Sequence, residues 1–377
     1  MNPRLHILFV DDDPNLLQAL QRSLRPMRKD WDMEFADGGA SALAILKDSA
    51  FDIVVSDMKM PGINGCDLLD KVMASHPGTL RFILSGHAER SQLMQCVGPT
   101  HQFLSKPCET GKLTASLQRV THLEHLVPDV ELRQWLAHLD RLPCHPDHHE
   151  LLIQLLQEDD PSIEKIGALI AKDPGMATLV LKLANTAFFG NGRGTIDIRL
   201  ATTQLGADVL RSIGLTLHLF TPLNLADSAG FDALHFWQRS QRAAESMRRI
   251  AEQDHSLSLS PEEAYSVGLL LDIGNLALSG KLPGRGTSPL HDTPEVTTAQ
   301  AGAYLLGTWG YSDAVVDAVA HQRSGSDTPP ANHDLRSLAQ CVTSFLDDRS
   351  SAPRHSPQAV EDPRRPSWLT TLRDIAP

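Results

Sequence analysis

Over roughly the first 120 residues, short apolar runs alternate with helical periods, and that alternation admits few folds. LHILFV at 5–10 runs into three acids, after which Leu16, Leu17, Leu20 and Leu24 repeat at three-to-four spacing. The same strand-then-helix pattern recurs at 33–36 before 40–46, 52–56 before 65–73, 80–84 before 90–96, and 102–104 before 112–123. Five strands alternating with five helices predict an α/β, doubly wound, five-stranded parallel sheet covered on both faces.

In such a sheet, ligands sit beyond the carboxyl ends of the strands, near the point where strand order reverses. The chemically loaded residues fall there. Asp11 and Asp12 follow the first strand and Asp57 the third; Ser85 ends the fourth and Lys106 follows the fifth. Carboxylates gathered at one sheet end repel each other by about 1 to 4 kcal/mol per pair at ~4 Å. A cation must offset this. Mg²⁺ suits the task, taking oxygen ligands from one or two carboxylates, waters and a phosphoryl group, and Lys106 adds a point charge. A carboxylate so placed can act as nucleophile toward phosphorus, giving an aspartyl phosphate.

Beyond about residue 125 the strand signal stops. Apolar residues then recur at helical spacing through 151–156, 163–170, 177–183, 205–217, 236–250, 265–278 and 299–309. The chain thus reads as multidomain, with an all-α second part, as its 377 residues also suggest at roughly 150 residues per domain. Pro128 interrupts the connecting helix, and LPCHPDHH at 142–149 reads as a solvated joint despite its histidines. Residues 347–366 read as disordered. Trp368, Leu369, Leu372 and Ile375 form a small apolar stripe, either able to dock or without a role.

Five scattered cysteines without a CxxC pair are expected to be reduced thiols rather than a disulfide framework or a zinc ribbon. A formal charge of −12 disfavours nucleic acid as a partner. No apolar run is long enough to span a bilayer, and the N-terminus is unlike a secretory leader. A cytoplasmic location away from membranes is expected.

The N-terminal set resembles the receiver domain of two-component response regulators, which have a flavodoxin-like fold. The match rests on ILFVDDDP at 7–14, VVSDMKMPGINGCDLL at 54–69, ILSGHA at 83–88, Phe103, and the Lys106–Pro107 pair. The resemblance implies Mg²⁺ held by Asp12 directly, by Asp11 through water, by Asp57 and by the backbone carbonyl of Lys59. It implies Asp57 as the residue phosphorylated by a histidine kinase or phosphotransfer protein, Ser85 and Phe103 as the switch pair, and a cis peptide at Lys106–Pro107. Asn64 and Ser105 depart modestly from common choices without touching the chemistry.

In the second part, Asp173 before Pro174 marks a helix start. Together with Leu142–Pro143, Leu183–Ala184–Asn185, Leu205–Gly206, Trp237, GLLLDIGNLAL at 268–278 and GAYLLGTWGY at 302–311, it resembles an HDOD domain, related to metal-dependent HD phosphohydrolases. The histidine–aspartate pair of those enzymes reads Leu271–Asp272 here. Another histidine-bearing helix reads Trp237–Gln238–Arg239–Ser240, and His321 stands alone before Gln322. Two ligands make a poor site for a metal that must activate water. Asp272 is therefore expected to cap or hydrogen-bond a helix and His321 to be partly exposed. Arg239, Arg242, Arg248 and Arg249 are expected on a solvated face.

The resulting organisation is a receiver at 1–122, a helical linker at 123–141, an HDOD domain at 142–323, and a C-terminal helix and tail at 324–377. The expected function is a response regulator and not an enzyme: phosphorylation changes how the HDOD domain binds an unidentified protein partner or pairs with itself as a homodimer. Hydrolysis of cyclic dinucleotides or other phosphodiesters, and DNA binding through the helices of 161–220, are the alternatives.

Overall fold

The computed structural model describes residues 4–86, 94–106, 110–186, 194–224, 231–279, 296–323, 330–349 and 362–375. The sequence readings at 87–93, at Pro107 and at 350–361 lie outside them. The chain divides into two compact units, one built chiefly from residues 1–140 and the other from residue 141 onward.

The first unit is the expected parallel sheet. Strands β1 (Leu5–Val10), β2 (Trp31–Ala36), β3 (Ile53–Asp57), β4 (Leu80–Ser85) and β5 (Gln102–Ser105) lie in the order β2-β1-β3-β4-β5. Alternate residues feed the two faces, as a two-residue period requires. Leu8, Val10, Val54 and Ile83 pack with the helices Gly39–Asp48 and Gly65–Ser75. Ile7, Phe9, Ile53, Val55 and Phe82 pack against Leu20 and Leu24 on one side and Leu113, Leu117 and Val120 on the other. Burial on both faces explains why the strands read as nearly continuous apolar runs.

Register places the chemistry. Val10 pairs with Ser56, Asp57 with Leu84, and Ser85 with Ser105, so β1, β3, β4 and β5 all end at one edge. Strand order reverses between β1 and β3, opening the crevice between Asp11 and Asp57. Gly65 lets the β3 loop fold back to that crevice: its N–H donates to the Met58 carbonyl at 3.0 Å, and a Cβ there would collide with the Asp57 carbonyl oxygen.

Beyond the sheet, the helix Thr110–Glu124 is followed by Val130–His138. Buried Arg81 donates to the carbonyls of Pro99, Thr79 and Ala137 at 2.6, 2.8 and 3.3 Å. Cys66 and Cys96, expected as separate thiols, are joined in a disulfide. Local spacing carries no sign of this pair, because the sheet face rather than the chain brings the two residues together.

The second unit is helical among its described residues. Its longest helix, Ala233–Gln253, turns Phe236, Ser240, Ala243, Met247 and Ile250 inward. Every residue of Pro174–Ala184 is buried. Asp173 is the N-cap of that helix, its Oδ1 accepting from the Met176 N–H at 3.1 Å. Its other oxygen accepts from the His145 N–H at 2.7 Å and Trp237 Nε1 at 3.0 Å, and lies 3.0 Å from His148 Nδ1. The 142–149 joint is therefore tied into the fold, with His145 capping Pro146–Gln157; Asp173 joins two helix starts and the Trp237 side chain of a third helix because a buried carboxylate needs several donors.

Two expected helices are broken. Ile198–Arg211 is kinked at Gly206, whose φ of 77° an L side chain resists, and leads into a π-turn at Ser212–Thr216. The 265–278 run divides at Asp272 into Pro261–Leu270 and Ile273–Ala277. The C-terminal region is more ordered than expected at both ends of 347–366. The helix His333–Arg349 continues to Arg349, and Arg365–Ile375 begins within that span. Trp368 and Leu372 are buried and Trp368 Nε1 donates to Asp254 Oδ2 at 2.7 Å, so these residues of the apolar stripe dock on the helical unit.

Candidate functional site

At the carboxyl edge of the sheet, Lys106 Nζ lies 2.5 Å from Asp11 Oδ2 and 2.5 Å from Asp57 Oδ1. The second oxygen of Asp57 accepts from the Lys59 N–H at 2.9 Å, and that of Asp11 from the Asp13 N–H at 3.0 Å. Asp11 and Asp57 are both buried, whereas Asp12 is exposed. The convergence expected of three carboxylates is thus one of two, bridged by the lysine ammonium. Among the described residues no three His, Cys, Asp or Glu side chains are grouped to hold a metal ion. Two carboxylates still meet the needs of Mg²⁺, which takes few protein ligands and keeps water.

Electrostatics follow from burial and from the bridge. Burial pushes the Asp57 carboxyl above its usual value, and Asp11 adds to this; Lys106 and the Lys59 N–H pull the other way without cancelling it. Burial alone would lower Lys106, but the hydrogen bonds and charges of Asp11 and Asp57 raise it instead. The lysine is therefore firmly cationic between two carboxylates, one of them strained by desolvation.

Ser85 and Phe103 stand behind this edge. The Ser85 hydroxyl donates to Met58 Sδ at 3.5 Å, and the Lys106 N–H to the Ser85 carbonyl at 2.7 Å. Phe103 is buried in the same cluster as Met58, Met60 and Ile83. The structure thus groups Asp11, Asp57, Lys106 and the backbone of Lys59 directly, with Ser85 and Phe103 one layer back.

The helical unit holds a second charged cluster. Asp272 is buried and accepts from Arg239 Nε at 2.7 Å and from Arg323 at 3.1 Å. Asp347 closes the ring, 2.7 Å from Arg239 and 3.1 Å from Arg323. Burial would raise the Asp272 carboxyl, but Arg323 and Arg239 outweigh it and hold it below the usual range.

This corrects two expectations. Asp272 stands at the N-cap of Ile273–Ala277, but its side chain does not cap that helix and instead hydrogen-bonds Arg239 of Ala233–Gln253; Arg239 in turn does not belong to the solvated face, lying three and four residues from buried Phe236 and Ala243, on the inward side. Arg248 and Arg249 remain outside, paired with Glu245. His321 does not approach as a partner of Asp272 but meets Asp317 at 3.1 Å, and Gln322 donates to the Leu271 carbonyl. The four-residue cluster had no local signal, since its members are far apart in sequence.

Comparison with known proteins agrees with both halves. The response regulator receiver domain family matches residues 7–118 and the HDOD domain family matches 142–324. Chemotaxis protein CheY-3 of Vibrio cholerae is 30% identical over 125 residues, covering 32% of this chain and 94% of that protein. Transcriptional regulatory protein GlrR of Escherichia coli K12 is 30% identical over 157 residues, 41% of this chain. The chain spans only 32% of GlrR's length.

Among solved structures, the signal receiver domain of an HD domain-containing protein from Pseudomonas fluorescens Pf-5 is 29% identical. It covers 33% of this chain and 98% of its own, with a TM-score of 0.31. A fragment of the MmoQ response regulator from Methylococcus capsulatus is 22% identical, covering 62% and 91%, with a TM-score of 0.46.

Sheet, site and matched families define a class, the response regulators of two-component signalling. Within it the chain belongs to those that join an N-terminal receiver domain to a C-terminal HDOD domain.

Proposed function

We propose that Asp57 accepts a phosphoryl group from a histidine kinase or phosphotransfer protein, and that this changes how a noncatalytic HDOD domain binds another protein or pairs with itself. The observation that carries the reading is the convergence of Asp57, Asp11 and the Lys106 ammonium at the strand ends.

Asp11, Asp57 and the carbonyl of Lys59 would hold Mg²⁺, with Asp12 joining them only by turning in from its exposed position; when bound, the ion neutralises charge on the phosphoryl oxygens. An Asp57 carboxylate oxygen attacks phosphorus while the bond from phosphorus to the donor imidazole breaks. Lys106 meets a phosphoryl oxygen, and the Ser85 hydroxyl leaves Met58 Sδ for the same group. The added charge of about −1.5 to −2 biases a local switch rather than refolding the domain.

Support for a binding output comes from Asp272, whose carboxylate is already committed to two guanidinium groups rather than open to a metal. Duplex DNA is not favoured: the helix Pro174–Ala184 is buried along its whole length and has no face to offer a groove, and the net charge is −12. The test compares self-association and retained proteins with and without beryllofluoride, a phosphoryl mimic, in wild type and Asp57→Asn. A change in wild type alone is expected; identical behaviour in both states would sink the reading.

A further inference from the structure

Cys66 is the second residue of the helix Gly65–Ser75, directly after the loop that carries Lys59 away from Asp57. Cys96 lies 30 residues further on, yet the two Cα atoms are 4.9 Å apart, inside the span of about 4.4–6.8 Å that a disulfide bridges. Both belong to the apolar cluster that contains Met58, Ile83 and Phe103. A cavity of about 370 Å³ opens beside them, lined by Met58, Lys59, Met60, Asn64, Cys66 and Gln95. Cys66 thus borders open space, while Cys96 is fully buried behind it.

These positions assign the two sulfurs different chemistry. Cys66 stands in the first turn of a helix and on the cavity wall, where a small oxidant can reach its sulfur. Cys96 is fully buried and lies within bonding distance of Cys66, placed to react with what forms there.

We propose that Cys66 and Cys96 are a reversible redox pair, oxidised by a small peroxide, whose disulfide restrains the phosphoryl switch. The Cys66 thiolate attacks one peroxide oxygen; the O–O bond breaks, and the departing hydroxide takes up a proton as water. Cys66 then carries a sulfenic acid. The Cys96 sulfur attacks the Cys66 sulfur, the S–S bond forms, and the hydroxyl leaves as water with the Cys96 proton. Two thiols lose two electrons and the peroxide becomes two waters. Thiol–disulfide exchange with a small thiol returns the pair to its reduced state.

The restraint follows from what the bond ties together. It joins the first turn after the Lys59 loop to residues just before β5, within the cluster that surrounds Phe103. Rearrangement at Ser85 and Phe103 needs freedom in that cluster, and the cross-link removes it. This part of the inference rests on the reading of Asp57 as phosphoryl acceptor.

The test uses the full chain, reduced with dithiothreitol or treated with hydrogen peroxide and desalted. Intact mass and peptide mapping are measured beside phosphoryl incorporation from acetyl phosphate with Mg²⁺. Peroxide is expected to remove two hydrogens and link Cys66 to Cys96 within one chain, and dithiothreitol to reverse this. Labelling should slow at least about fivefold in the oxidised form, the lower range of allosteric coupling. Cys66→Ser and Cys96→Ser should each label alike under both treatments. No intrachain link, equal labelling of both forms, or equal slowing of the serine variants would overturn the proposal. Reduced protein that never labels would overturn the Asp57 reading and the coupling with it, and the mass measurement separates that failure from failure of the pair.

Discussion

Arg239 Nε donates to Asp272 Oδ2 over 2.7 Å in the interior of the helical unit. An HD-type phosphohydrolase would need carboxylate and imidazole groups around a metal at such a point. Here a guanidinium occupies one carboxylate oxygen and Arg323 the other.

Removing that carboxylate leaves the inward Arg239 guanidinium sharing Asp347 with the more exposed Arg323. Asp272→Ala is expected to destabilise the helical unit by about 3–5 kcal/mol, the loss seen when one partner of a buried ion pair is deleted. Denaturant unfolding measures it. Because the folded carboxyl is held below its ordinary value of 3.8, its contribution is present above that value and lost as pH falls through the lower folded one. Acid should therefore weaken wild type more than Asp272→Ala. Phosphodiester turnover with added Mn²⁺ or Mg²⁺ should stay at background in wild type; turnover lost on Asp272→Ala would reverse the noncatalytic reading.

Asp57 has the opposite sign. Burial raises its folded value above 3.8, so its stabilising contribution is complete below that pH and lost as pH rises through the raised value. At neutral pH the ionised group opposes folding. Asp57→Asn keeps an acceptor for the Lys59 N–H and removes the charge. It should abolish phosphoryl incorporation from acetyl phosphate while melting no lower than wild type; a clear drop in melting temperature would contradict this electrostatic account.

His101 ties the sheet to the following helix. Its Nδ1 accepts from the Arg81 N–H at 3.0 Å, which leaves Nε2–H to donate to the Ala137 carbonyl at 2.8 Å. Arg81 reaches the same carbonyl, and burial lowers its guanidinium to about 10. Arg81→Leu should leave buried carbonyls without donors, each costing about 1–3 kcal/mol. Hydrogen exchange across 130–138 should accelerate, and unchanged protection would show that the helix is held by other contacts.

Trp368 anchors the C-terminal helix. Its ring is buried, Nε1 bonds Asp254, and the Arg364 guanidinium lies 5.0 Å from the ring centre. Trp368→Ala should cost about 3–5 kcal/mol, as for large buried aromatics. Thermal or denaturant melts decide, and a loss within error would mean the helix is only loosely docked.

Much of this was legible in the chain because it is local. An apolar run followed by a helical period specifies strand and helix, and five repeats specify the doubly wound sheet, so Asp11, Asp57, Ser85 and Lys106 fall at strand ends by counting alone. Asp173 before Pro174 announces a helix start for the same reason. Only the tertiary structure decided which charges meet. It brought Lys106 onto two carboxylates while leaving Asp12 exposed, turned Arg239 inward to Asp272, and set Cys66 beside Cys96. Backbone periodicity is a property of neighbouring residues, whereas ion pairs and cross-links depend on side chains that the chain separates and packing reunites.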